Sequence, residues 1–146
     1  MSKLKNFIFS LIFVFNVNAI KADIAFVDSS SVAADWVYFS GPSVAADWVY
    51  FSGPSASADW IYVTDNCAYA DVEVVSGSPV YADWIYFSGP SVAADWIYLS
   101  GPSAAADWIY VKDSPSSADY TICFPREFNY TNEHIAALYI LKLKAK

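Results

Sequence analysis

The chain has 146 residues, 56% hydrophobic, 18% aromatic and only 16% charged, a composition that excludes a disordered chain and limits it to about one ordinary domain. One His, two Cys and eight Lys+Arg against fifteen Asp+Glu give no support to a poly-His metal cage, a zinc ribbon or a basic nucleic-acid surface. Between Ala22 and Pro125 thirteen acids face a single cation, Lys112, so this body repels phosphates and excludes nucleic acid as a partner.

Residues 1–21 are expected to be a signal peptide. Lys3 and Lys5 form its positive flank, Phe7 to Phe15 its apolar run, and Val17-Asn18-Ala19 a small-residue cleavage position. As a helix the apolar run covers about 14 Å against a hydrocarbon core of about 30 Å, so no membrane span is expected after cleavage. The expected location is outside the cytoplasm: periplasmic, cell-surface or extracellular.

Residues 22–125 read as nine 12-residue β repeats. Ala-Asp recurs at Ala22-Asp23, Ala34-Asp35, Ala46-Asp47, Ala58-Asp59, Ala70-Asp71, Ala82-Asp83, Ala94-Asp95, Ala106-Asp107 and Ala118-Asp119 without a slip. Six units continue with Trp, then Val or Ile, then Tyr; the units opening at Ala22, Ala70 and Ala118 lack the Trp and stand forty-eight residues apart. Such regularity marks a repetitive architecture. Within a unit, a β-branched and aromatic run such as Asp35 to Ser40 reads as a strand, and Gly41-Pro42-Ser43 as a turn.

The spacing predicts an all-β fold, a short-repeat β-solenoid with about two units per coil, against the alternative of an antiparallel meander or barrel. The aliphatic row of Val37, Val49, Ile61, Ile85, Ile97 and Ile109 is expected inside the solenoid, with Trp and Tyr facing out. Residues 126–146 are expected to form a C-terminal cap helix, N-capped at Thr131 or Asn132. Cys67 and Cys123 fall out of phase with the repeat, more than two solenoid coils apart, which predicts free thiols, intermolecular pairing or local distortion rather than a clean staple.

No enzyme is expected: His134 is the lone His, and repeated identical carboxylates do not distinguish an acid from a base. The candidate binding surface is the aromatic ladder of Trp36, Tyr38, Trp48, Tyr50, Trp60, Tyr62, Trp84, Tyr86, Trp96, Tyr98, Trp108 and Tyr110. Rings at fixed spacing could stack on a glycan, grip a protein surface or join two copies of the chain. The alternative is Ca²⁺ binding by the Asp row, since hard cations take carboxylate oxygens. One carboxylate per unit is a thin ligand set, so neither a metal site nor a cofactor is assigned.

The Ala-Asp-Trp-Ile-Tyr-Phe units resemble those of short bacterial exported proteins built from tandem Tyr/Val-rich strands punctuated by Ala-Asp. The resemblance covers Ala22 to about Cys123 and implies no activity. The period is also similar to that of insect antifreeze β-helices, whose Thr-x-Thr rows and regular cysteines are absent here.

Overall fold

The computed structural model describes residues 21–144; the expected signal segment, residues 1–20 of it, lies outside them. The described residues form nine β-strands: β1 (Ala22–Val27), β2 (Ala34–Phe39), β3 (Asp47–Phe51), β4 (Asp59–Thr64), β5 (Val72–Val74), β6 (Asp83–Phe87), β7 (Asp95–Leu99), β8 (Asp107–Lys112) and β9 (Tyr120–Cys123). A short helix α1 (Asn132–Leu138) follows and continues as a π-helical turn, Tyr139–Leu143.

All strand pairs are parallel, and the sheet closes on itself in the order β1-β5-β9-β4-β8-β3-β7-β2-β6. The architecture is therefore a closed barrel, the expected alternative, with parallel strands throughout in place of the two-unit coils of a solenoid or an antiparallel meander. A solenoid of that kind pairs residues 24 apart. Here Ala34 pairs with Trp84, fifty residues on, and Val37 with Asp95, fifty-eight residues on. Each strand thus lies between units four and five repeats away, except β5, whose neighbours β1 and β9 are both four away, and successive units step two places around the ring.

This pairing explains the forty-eight-residue superperiod. Units four repeats apart are neighbours, so the three units without Trp lie side by side as β1, β5 and β9. These strands are also slipped by one residue. Ile24, Val72 and Tyr120, at the position Trp holds elsewhere, face the interior, and Ile24 and Val72 are fully buried. At the borders of this seam the register is accordingly fifty-nine rather than fifty-eight, as in Ile24↔Asp83 and Ile61↔Tyr120.

Between adjacent regular strands the register is offset by two residues: Asp35 stands level with Ile85, not with its equivalent Asp83. An offset of about 6.6 Å for each strand spacing of about 4.8 Å tilts the strands by roughly 50° and gives nine strands a radius of roughly 11 Å. That is about the distance at which a helix packs on a sheet, so the lumen holds one helix. α1 fills it. Ile135, Ala136, Ala137, Leu138 and Tyr139 are five consecutive buried residues, more than one full turn, which requires neighbours all round the helix. They share one core with Val37, Val49, Ile61, Ile85, Ile97 and Ile109, each 0% exposed. The helix is therefore a plug inside the barrel, running opposite to the strands. A cap laid over an open coil would bury one face only.

Closure also decides the cysteines. β4 pairs with β9, bringing the segment after Thr64 beside Cys123, and Cys67 and Cys123 form a disulfide with Cα atoms 5.2 Å apart. The expectation of unpaired thiols fails because it assumed neighbours 24 residues apart.

Leu138→Ala is expected to cost about 2–5 kcal/mol in chemical denaturation, the range for a cavity in a closed core. A helix lying on the surface would lose roughly 0.5 kcal/mol or less.

Candidate functional site: an aromatic belt and a charged mouth

The regular strands turn their Trp and Tyr outward, and the rings interlock edge to face across neighbouring strands. Trp36 meets Tyr86 at 5.6 Å between centroids, Tyr38 meets Trp96 at 5.1 Å, and Trp48 meets Tyr98 at 5.0 Å. Tyr50–Trp108 at 5.0 Å and Trp60–Tyr110 at 5.2 Å continue the series. With Trp84 and Tyr62 at its ends, all twelve predicted residues fall in one belt over the six adjacent strands β6, β2, β7, β3, β8 and β4. All are half-buried.

Each indole has a structural duty. Trp36, Trp48, Trp60, Trp84, Trp96 and Trp108 donate Nε1–H to the carbonyl five residues earlier, at 2.9–3.0 Å, in the turn that enters their own strand. That turn is further held by a serine hydroxyl, as where Ser43 Oγ accepts from the Ala45 N–H at 3.0 Å. The Trp row thus clamps strand to turn, which accounts for the unbroken Ala-Asp-Trp spacing. Lys112 Nζ lies 4.7 Å from the Trp60 ring centroid, over its face.

The Asp row divides in two. In two of the three slipped strands the carboxylate takes a backbone donor: Asp119 accepts from the Trp60 N–H and Asp71 from the Thr121 N–H, both at 2.8 Å. In the regular strands they line the mouth at which the strands begin, in the order Asp83, Asp35, Asp95, Asp47, Asp107, Asp59. The end of the plug reaches them. Lys142 lies 3.1 Å from Asp83 and 3.8 Å from Asp35, Lys144 lies 2.7 Å from Asp107, and the Tyr139 hydroxyl donates to Asp59. Cations at a helix C-terminus are favourable in themselves, so both the carboxylates and the helix end hold them there.

The charges answer one another in their titration. The hydrogen bond to Asp107 raises the Lys144 ammonium above its ordinary value against a smaller opposing effect of burial. Burial, then Asp35 and Asp47, push the Asp95 carboxyl up. Burial and the bond to Asp59 raise the Tyr139 phenol. Among the described residues no group of three or more His, Cys, Asp or Glu is arranged to hold a metal ion.

At the opposite mouth His134 is the third residue of the helix. Its Nδ1 accepts from the Thr131 N–H at 3.0 Å, closing a capping box, while Phe26, Phe87 and Phe128 surround the ring with centroids 4.8, 5.4 and 5.0 Å away. Burial lowers its pKa. Sequence reasoning singled out neither this cluster nor Tyr139, Lys142 and Lys144 as partners of the Asp row. A signal was present: Lys142, Lys144 and Lys146 are three of only eight cations and sit together at the end of the chain that carries the repeated acids.

No family model matches this chain, and no curated protein and no solved structure matches it either.

The titrations set a pH window. His134 is depressed in the fold, so the unfolded chain takes a proton first once pH falls below the ordinary value of 6.5, and stability is lost on that side. The Tyr139 phenol and the Lys144 ammonium are both raised, so what they contribute is complete below their ordinary values of 10.0 and 10.5 and is lost as pH climbs past them, the tyrosine first. Thermal unfolding from pH 5 to 11 is expected to give a plateau between these limits with a fall on each side, and His134→Gln should flatten the decline between pH 7 and 5.

Proposed function

We propose that this is an exported, non-enzymatic barrel with a structural or interaction role, whose outer aromatic belt docks a partner, and that a neutral glycan fits the belt best. The observation that carries the reading is the continuous band of twelve half-buried rings over six adjacent strands, with Lys112 as its one cation among the described residues. Sugar C–H faces stack on indole and phenol rings, and tyrosine hydroxyls add polar contacts. The excess of acid disfavours anionic glycans. The Cys67–Cys123 bond supports export to an oxidising compartment. The commitment of His134 Nδ1 to the capping box argues against its use as a catalytic base.

Titrating neutral polysaccharides against tryptophan fluorescence tests the reading. Tyr38→Ser with Tyr98→Ser removes two central rings and leaves every Trp–turn hydrogen bond in place. At least one neutral polysaccharide should bind, and the double variant should bind about tenfold or more weakly. Retention of none, or equal binding by the variant, rejects the glycan reading.

A second observation favours self-association. Val44, Val92, Val32 and Val80 cap the turns entering β3, β7, β2 and β6, four adjacent strands, with relative exposures of 106%, 107%, 104% and 95%. A row of bare valines beside an aromatic belt is an apolar edge that a second copy can cover. Sedimentation should then show concentration-dependent dimers, and Val44→Asp with Val92→Asp should leave monomers.

A further inference from the structure

The repeat is broken most heavily at one place, and the breaks converge on a cavity. In four regular units a serine at the strand end bonds its neighbouring glycine carbonyl, as Ser40 does with Gly41; unit one has Asp28 there. The unit that follows β5 exchanges the order Gly-Pro-Ser for Gly77-Ser78-Pro79, and Gly77 is the one described glycine with positive φ, at 77°. These two irregular connections meet Phe26, Phe87, Phe128 and His134 around a cavity of about 600 Å³ at the plug's N-terminal mouth. That volume lies within the common range for small-molecule sites.

The chemistry of the wall is specific. Phe26 and Phe87 stand edge to face at 5.5 Å, Phe128 lies 6.0 Å from Phe26, and His134 completes an aromatic cage. Asp28 is the only charged side chain among the described residues that line it. His134 contributes one donor. Because Nδ1 accepts from the Thr131 N–H, the neutral ring carries its proton on Nε2. Among the described residues Nε2 has no protein partner, and no buried side-chain nitrogen or oxygen lacks one, so Nε2–H is open to solvent on a residue that lines the cavity.

We propose that this cavity binds a small organic ammonium carrying an oxygen acceptor. The cation lies against the phenyl faces with Asp28 as its counter-ion, and the ligand oxygen accepts from His134 Nε2–H. Phenyl faces attract an onium group through the ring quadrupole, and the exposed Asp28 carboxylate at the rim favours a cation over a neutral group of equal size. Four of the six regular units place serine at this position and none places an acid, so the carboxylate is particular to the unit that borders the cavity.

Choline is the probe, compared with its neutral tert-butyl isostere. The purified, disulfide-bonded chain is titrated by NMR, reading His134 Nε2–H and the phenyl resonances. Choline should shift them saturably and bind at least about tenfold more tightly than the isostere. Asp28→Asn should lose about tenfold in choline affinity at an unchanged melting temperature. Phe128→Leu keeps the apolar volume and should abolish the preference for choline while still admitting the isostere. Equal affinity for choline and isostere, indifference to Asp28→Asn, or no shift of His134 at saturating choline overturns the proposal. None of these readouts involves the outer belt, so the glycan reading stands or falls separately.

Discussion

The two-residue offset between neighbouring strands is the constraint from which the rest of this structure follows. Without tilt, nine parallel strands would enclose a cylinder only wide enough for its own side chains. With roughly 50° of tilt the same strands enclose a helix. The offset also lets connections of about half a unit return the chain to the start of another parallel strand, which ordinarily takes a crossover of a dozen residues or more. Such short links are possible because each new strand starts further along the strand direction, two places around the ring. The Trp–turn hydrogen bonds then hold each link against the outside of the wall.

Closure removes the exposed strand edges that a solenoid must cover, and it turns the terminal helix from a lid into the centre of the core. The cost is a ring of carboxylates around one mouth. Three of these six acids meet Lys142 or Lys144, and a fourth takes the Tyr139 hydroxyl. Lys142 is 20% exposed while Asp35 and Asp83 are 54% and 63% exposed, so these are partly solvated pairs that hold the position of the helix end more than they add stability. At the other end the helix begins in an aromatic cluster that includes its own capping histidine. The plug is thus held by charge at its last turn and by packing at its first.

Much of the wall was legible in the sequence. Period twelve, an even number, keeps every Trp on one side of its strand and the aliphatic row Val37 to Ile109 on the other, but which side faces inward followed from the sequence only for a solenoid and stayed open for a barrel. The order of strands was not legible, because identical units carry no label that says which pairs with which. Only the forty-eight-residue superperiod held that information, and the spacing alone does not say that it is the distance to a neighbouring strand. The same missing register hid the disulfide, the slip at Ile24, Val72 and Tyr120, and the convergence of Asp28, Phe87 and His134 on one cavity.

The path of the chain also fixes how such an array can change in length. A route that moves two places at each step visits every position of a ring once only when the number of positions is odd. Losing or gaining one twelve-residue unit leaves a chain that retraces half the ring and never fills the other half. Units can be added in pairs, but eleven strands would place neighbours five and six repeats apart, scattering the three slipped strands and dividing the aromatic belt. Nine is the count at which the half-circuit equals four units, the spacing at which this sequence repeats its exceptions. Copy number is therefore written twice in this chain, once as the count of units and once as the spacing of those that differ.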